Sequence, residues 1–406
     1  MKEIVLVDPH SSGHHLSYLR IYCAIMLEMN FAVSILCEDC DLVKDYFGDW
    51  LAEKAGKVRV LPLLRQESSL NSSRRVKSGL LQDVLASCRV FRRFAAVAKS
   101  LRAHEIGTGP LVVFMWLDDY ISKLFPGFVL DVFFRNRWGG IYFHPTRIKF
   151  DEKNRKLNRG LLHKVPVFYS SKLTFVGLFD GMMVESLQQK HGRNLFYWLP
   201  DVAEKFTPDL TSELVRDIQK VAGARKIVSL LGSLGRRKNV LSFFDAAERY
   251  SGDDVLFLCL GQLHKADFSE AELERIYSIA DKLGDKLYFH DGHVVSDEIF
   301  DTLFYLSEII VAVYDRFPSS SNLITKAAMH GKPVIVSREY LMGEVVARYD
   351  LGTCVESGNS SELLSAIERL LCAGPLGSGR FSAYLEEYST KNLRSRFGEI
   401  MSSIDE

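Results

Sequence analysis

Short runs of Val, Ile and Leu recur along the chain, each bounded by Gly, Pro, Asp or Asn and followed by apolar residues at helical spacing, which marks repeated β-α units. In the first half these runs predict strands near 4–7, 32–36, 58–61, 111–115, 141–143, 182–184 and 195–198. A helix follows the first, because Leu16, Leu19, Ile21, Tyr22, Ala24, Ile25 and Leu27 line one helical face. The pattern breaks at Leu199-Pro200-Asp201, where proline ends a strand and a polar helix over 211–222 leads to a fresh strand at 227–231. Further strands are predicted at 255–260, 287–290, 309–314, 333–336 and 352–355, with helices at 239–249, 269–283, 296–306, 321–330 and 360–373. Beyond Gly379 one amphipathic helix is expected to run to about residue 402. The fold class is therefore α/β, two doubly wound parallel-sheet, Rossmann-like domains over 1–200 and 201–375, followed by a C-terminal segment over 376–406.

Composition narrows the class. The 406 residues are 47% hydrophobic and 25% charged, enough to bury two cores and too apolar for a disordered chain. Apolar stretches such as 21–27 and 112–117 fall far short of the roughly 20 residues that span a bilayer. The N-terminus, with Glu3 and Asp8 flanking four apolar residues, lacks the basic start of a secretion signal, so a cytoplasmic protein is expected. The seven cysteines are read as thiols; Cys37 and Cys40 have no second pair to complete a zinc site. Zero net charge hides an asymmetry: residues 1–200 hold 28 cations against 19 acids, and the remainder 23 against 32. Basic, apolar-interleaved stretches at 74–102 and 135–164 suit an anionic membrane surface, and nucleic acid is not expected.

Three loops at strand ends are candidates for chemistry. The first, Asp8 to His15, contains Gly13 and opens a helix whose N-terminus favours an anion. The second, Gly232-Ser233-Leu234-Gly235-Arg236-Arg237-Lys238-Asn239, sets three successive cations in a small-residue turn, where they can neutralise a diphosphate. The third, Tyr314 to Leu323, supplies Ser320, Ser321 and Asn322 at a helix start, where hydroxyls and free N–H groups can hold phosphate oxygens or merely cap the helix. Neither GxGxxG nor the P-loop lysine is present. Asp118 and Asp119 mimic a metal-binding pair, but their place at a helix start reads as dipole capping.

The order of these elements resembles the GT-B glycosyltransferases, most closely glycosyltransferase family 4, over nearly the whole chain. Gly13-His14-His15-Leu16-Ser17-Tyr18 is similar to that family's opening glycine loop, and Ile141-Tyr142-Phe143-His144 to its strand ending in a cleft histidine. Asp180 to Ser186 and Trp198-Leu199-Pro200-Asp201 resemble its last strand and linker. Residues 232–239 resemble the donor diphosphate loop, Cys259-Leu260-Gly261 the next strand end, and Gly292-His293-Val294 the segment that meets the base. Ser321-Asn322-Leu323 and Ala327 to Ile335 resemble the sugar and phosphate helix with its following strand. Two departures stand beside the match. The family's paired glutamates are replaced by Pro318 and Lys326, and Ser233 stands where arginine is common.

The resemblance implies two domains facing a cleft, the last helix returning to the first domain. It implies metal-independent, retaining transfer from a nucleotide sugar to a glycan or lipid-linked acceptor, as in polysaccharide biosynthesis, with no cofactor and with peripheral contact to the inner face of the membrane. His144, Lys238 and Arg237 are the implied catalytic residues. Gly13, Gly232, Ser233, Val294, Ser320, Ser321, Asn322, Leu323 and Lys326 are the implied donor-binding ones. The departures leave two rivals, a catalytically silent sugar-nucleotide-binding or partner protein and a nucleotide-sugar epimerase or hydrolase.

Overall fold

A computed structural model describes residues 2–10, 15–64, 79–145, 150–151, 156–157, 165–294, 296–374 and 377–405. Gly13 and parts of both basic stretches lie outside these residues. The chain forms two compact units, Met1–Pro200 with Thr390–Glu406, and Asp201–Ser389.

Unit 1 is built on β1 (Glu3–Asp8), β2 (Ala32–Cys37), β3 (Val58–Pro62), β4 (Leu111–Phe114) and β5 (Trp138–Ile141). A two-residue hairpin, β6 (Phe150–Asp151) and β7 (Lys156–Leu157), precedes β8 (Leu173–Leu178) and β9 (Phe196–Trp198). The sheet order is β3-β2-β1-β4-β5-β8-β9, and Ile4 pairs in parallel register with Val33 on one side and Leu111 on the other. Helices α1 (His15–Glu28), α2 (Cys40–Glu53), α3 (Gly79–Ala103), α4 (Gly127–Phe133) and α5 (Gly181–His191) complete the unit's N-terminal part. Strands such as Ile4–Val7 are buried throughout, which is why they read as unbroken apolar runs rather than alternating ones.

Unit 2 contains α6 (Glu213–Ala222), β10 (Lys226–Leu231), α7 (Val240–Arg249), β11 (Val255–Leu260), α8 (Glu270–Leu283), β12 (Leu287–His290) and α9 (Asp297–Leu306). It continues through β13 (Ile309–Ala312), α10 (Asn322–Met329), β14 (Val334–Ser337), α11 (Tyr340–Tyr349), β15 (Gly352–Val355), α12 (Ser360–Ala373) and α13 (Ser378–Glu387). Its six parallel strands run β12-β11-β10-β13-β14-β15, so the order reverses between β10 and β13. Unit 1 reverses in the same way between β1 and β4. Open α/β sheets bind ligands outside the carboxyl ends of the strands at such reversals.

Four local expectations need correction. Residues 182–184 are the first turn of α5, because Asp180 accepts the Met182 and Met183 N–H groups at 3.0 and 3.2 Å and caps a helix; the strand is β8, just before it. The strand read at 141–143 is β5, three residues earlier, hidden by Gly139 and Gly140. Those glycines are required there, since a Cβ would fall 2.2 Å from the Phe175 ring at one and 2.6 Å from the Phe114 carbonyl oxygen at the other. Helix α11 was not expected at all. The single terminal helix is two: α13 belongs to unit 2, and α14 (Thr390–Asp405) to unit 1, where Phe397 meets Tyr22 and Phe175 edge-on and Arg394 pairs with Glu28 at 2.9 Å.

Candidate functional site

The reversal point of unit 2 brings two of the expected loops together. The loop after β10 ends in a short 3-10 turn, Arg236–Lys238, and Asn239 takes a left-handed conformation (φ 51°) that directs its side chain to Val313 O at 3.2 Å and Ser357 Oγ at 2.9 Å. Asp315 N donates to Arg237 O at 2.7 Å, fastening the loop after β13 to the same place. The Tyr314 ring lies under both cations, 5.2 Å from the Arg237 guanidinium and 5.5 Å from Lys238 Nζ, with Arg237 also 4.2 Å over Phe317. Arg236 turns outward to Glu272 at 2.7 Å, and Ser233 Oγ meets His264 Nε2 at 2.7 Å.

Lys238 stands out. It is buried, its ammonium donates to Leu231 O beside Gly232, and no carboxylate among the described residues pairs with it. An ammonium removed from water without a counter-ion is costly unless an anion comes to it. Gly232 (φ 87°) and Gly261 (φ 149°) let the backbones close around it; a Cβ on Gly261 would sit 1.9 Å from Gly232 O. Ser320, Ser321 and Asn322 are half-buried at the start of α10, with Leu323 buried behind them. Ser321 is the N-cap but makes no side-chain capping bond, and its Oγ is 3.5 Å from the Tyr314 hydroxyl. The Ile324 N–H is taken by Ser321 O at 3.1 Å, and no N-cap side chain accepts from the first turn of the helix, which starts beside the ring that supports the two cations. Val294 is half-buried after β12.

Lys326 is not part of this constellation. Its Nζ lies 3.0 Å from Asp301 Oδ1 and 3.1 Å from Glu204 O, while His330 Nε2 and Phe206 N take Asp301 Oδ2 at 2.8 and 3.2 Å. Burial alone would raise the Asp301 carboxyl; hydrogen bonding from His330 and the charge of Lys326 outweigh it and hold it below the usual range. The expected donor-binding lysine therefore sits in a closed structural network joining α9, α10 and the 201–206 segment.

In unit 1 the equivalent reversal point gathers residues from after β1, β4 and β5. His10 Nε2 lies 2.5 Å from Asp119 Oδ2, and Arg93 holds the other Asp119 oxygen at 2.9 Å. The hydrogen bond to Asp119 raises the His10 imidazole above its ordinary value; Asp119 is held low because that bond and the Arg93 charge outweigh its burial. Buried Asp8 accepts from the His10 N–H at 3.0 Å and meets His15 Nδ1 at 3.1 Å. Asp118 accepts from the Phe143 and His144 N–H groups at 3.0 and 2.8 Å, and burial pushes its carboxyl up to about 6. The acidic pair therefore anchors the loop after β5 and a histidine rather than capping a helix. His144 rests edge-on to Trp116 at 5.6 Å, and Trp116 stacks on Phe143 at 4.0 Å. Among the described residues no group of His, Cys, Asp and Glu has the arrangement of a metal site.

Residues 225–373 match the family model described as glycosyl transferases group 1. The matched residues fall in unit 2. The loops at 232–239 and 313–323 and the start of α10, which no side chain caps, all lie within the matched residues. No curated protein matches the chain. Among solved structures, sucrose-phosphate synthase from Thermosynechococcus elongatus is similar at 16% identity and TM-score 0.67, over 100% of this chain and 99% of that one. The UDP-forming α,α-trehalose-phosphate synthase from Burkholderia xenovorans is similar at 13% identity and TM-score 0.67, over 100% of both chains. Anabaena HepE, solved with UDP and glucose, gives 16% identity and TM-score 0.65 over 99% of this chain and 100% of that one. The fold is GT-B: two parallel-sheet Rossmann-like units, of seven and six strands.

Sequence reasoning missed Tyr314 and Asn239 as organisers of the group 1 loops, and Asp301 as the partner of Lys326. Tyr314 opens the third candidate loop two residues past β13, and an aromatic residue at that place was the available signal. The His10–Asp119 pair gave none, being 109 positions apart.

Proposed function

We propose that the protein transfers a sugar from a nucleotide sugar, with UDP as the carrier, to a glycan or lipid-linked acceptor at a membrane surface. The observation that carries this reading is Lys238, a buried ammonium with no carboxylate partner among the described residues, at the reversal point of unit 2 and within the residues that match the group 1 model. Lys238 and Arg237 donate to the diphosphate, and the start of α10 at Ser320 to Leu323 receives the phosphate nearest the sugar. As the bond from the anomeric carbon to phosphate lengthens, negative charge grows on the departing diphosphate, and fixed cations aimed there lower the barrier without a metal ion. UDP is favoured because solved structures of the same fold include a UDP-forming synthase and HepE with UDP and glucose.

One observation favours a second reading, binding without turnover. Where the resemblance places a glutamate on the ribose hydroxyls, this chain has a lysine tied to Asp301, and an ammonium has only donors to offer. The test is UDP release from a panel of UDP-sugars, with and without membrane lipid extract and with a chelator present. Acceptor-dependent, chelator-resistant release supports transfer; hydrolysis without acceptor points to a hydrolase. Binding without any release establishes the silent protein.

A further inference from the structure

Helix α3 is 25 residues long, about 37 Å at the usual rise. Its second half buries one face, Val90, Phe94, Val97, Ala98 and Leu101, in the unit 1 core. In the first half a different face, about a third of a turn round the helix, presents Leu80, Leu81, Val84, Leu85 and then Phe91 to solvent, and Leu80 is 72% exposed. Phe91 packs its edge on Phe133 of α4 at 5.0 Å and brings that helix alongside. There Phe128 and Val132, one helical turn apart, are 70% and 79% exposed, with Leu124 exposed just before them. Most of the exposed large apolar side chains of the described residues are thus on two touching helices of one unit or just before the second, beyond the scattered singles of an ordinary surface.

Charge identifies what covers this face. Residues 65–103 contain nine cations against two acids, and Arg89 and Arg92 flank the stripe. Residues 65–78, outside the described set, offer only Leu70 and Val76 as apolar side chains among 14 positions, too few to cover the patch. A second copy would bring the same positive charge against it. An anionic lipid surface satisfies both features, apolar side chains entering the headgroup boundary and cations meeting lipid phosphates.

We propose that the first half of α3 together with α4 is a membrane-docking face that inserts Leu80, Val84, Phe128 and Val132 into an anionic bilayer surface. The mode is insertion assisted by charge, so raised salt weakens binding without abolishing it. The proposal deepens the transferase reading by naming the surface where its acceptor is met, and the two fail separately: vesicle binding is read without donor, and UDP release with lipid extract dispersed in detergent, where no bilayer is present. The intact chain is sedimented with vesicles of phosphatidylcholine containing about 30% phosphatidylglycerol, at salt from about 0.1 to 1 M. The expected result is binding at low salt that survives in part at high salt, together with protection of the exposed Cys88 thiol on the same stripe from maleimide, read by mass mapping. Leu80→Glu/Val84→Glu and, separately, Phe128→Glu/Val132→Glu should each lower the vesicle partition at least about tenfold, with thermal unfolding unchanged because these side chains are exposed. Absence of low-salt binding overturns the proposal, as does binding that neither double variant weakens. A dimer that the substitutions dissolve would give the face to a second copy, and Cys88 already protected without vesicles would give it to residues 65–78.

Discussion

Replacing Lys326 by Glu tests whether this position serves the fold or the donor. In the parent, Asp301 is fully buried between the Lys326 ammonium at 3.0 Å and the His330 imidazole at 2.8 Å, with the Phe206 N–H as a third donor. Lys326→Glu removes one cation and sets a second carboxylate where the first has no water to screen it. Removing one partner of a buried pair costs about 3–5 kcal/mol, and like charges at this separation add to it. For a unit of about 190 residues each kcal/mol moves the midpoint by roughly 2–4 °C, so thermal unfolding of unit 2 should fall by about 6–20 °C. Scanning calorimetry with urea unfolding measures this. Lys326→Met/Asp301→Asn should recover part of the loss, since it leaves no unpaired charge. The pH dependence has a defined sign: Asp301 is depressed in the folded state, so its contribution is present above the unfolded carboxylate range and is lost as pH falls through the folded value. A Lys326→Glu variant within about 1 kcal/mol of the parent, or one that turns over a UDP-sugar faster, would refute the structural assignment.

Asp118 should titrate near pH 6 by carboxyl carbon NMR; because burial raises it, its contribution to stability is present below the unfolded carboxylate range and lost as pH rises through 6, opposite to Asp301. His10 should titrate above the ordinary imidazole value, and Asp119→Asn should lower it; an unmoved His10 would contradict the 2.5 Å pairing. Gly261→Ala should destabilise unit 2 by more than about 1–3 kcal/mol, since left-handed strain adds to a Cβ clash with the Gly232 backbone, and urea unfolding reads it; unchanged stability would mean the two loops do not approach as described.

The fold was legible wherever burial on both sheet faces leaves an unbroken apolar run, as in Ile4–Val7 and Val255–Leu260. It was illegible where a neighbour dictates composition. Gly139 and Gly140 look like a turn but are strand residues made small by Phe175 and Phe114. Met182–Val184 is as apolar as a strand, and only the Asp180 cap decides for helix. The site divides in the same way. The cations of 236–238 and the serines of 319–321 announce themselves within one loop, whereas Lys326 with Asp301 and His10 with Asp119 are pairs made by topology across 25 and 109 positions. Spacing along a chain carries no record of such partners.

Calorimetric titration of UDP into the protein, beside the same titration of Lys238→Ala, reads whether the buried ammonium holds the donor diphosphate. The account predicts saturable binding in the parent and a loss of about 2–3 kcal/mol in the variant, a 30- to 150-fold weaker Kd, because a charge-assisted contact to the diphosphate disappears. Equal affinity in the two proteins, or no UDP binding by the parent, would contradict it.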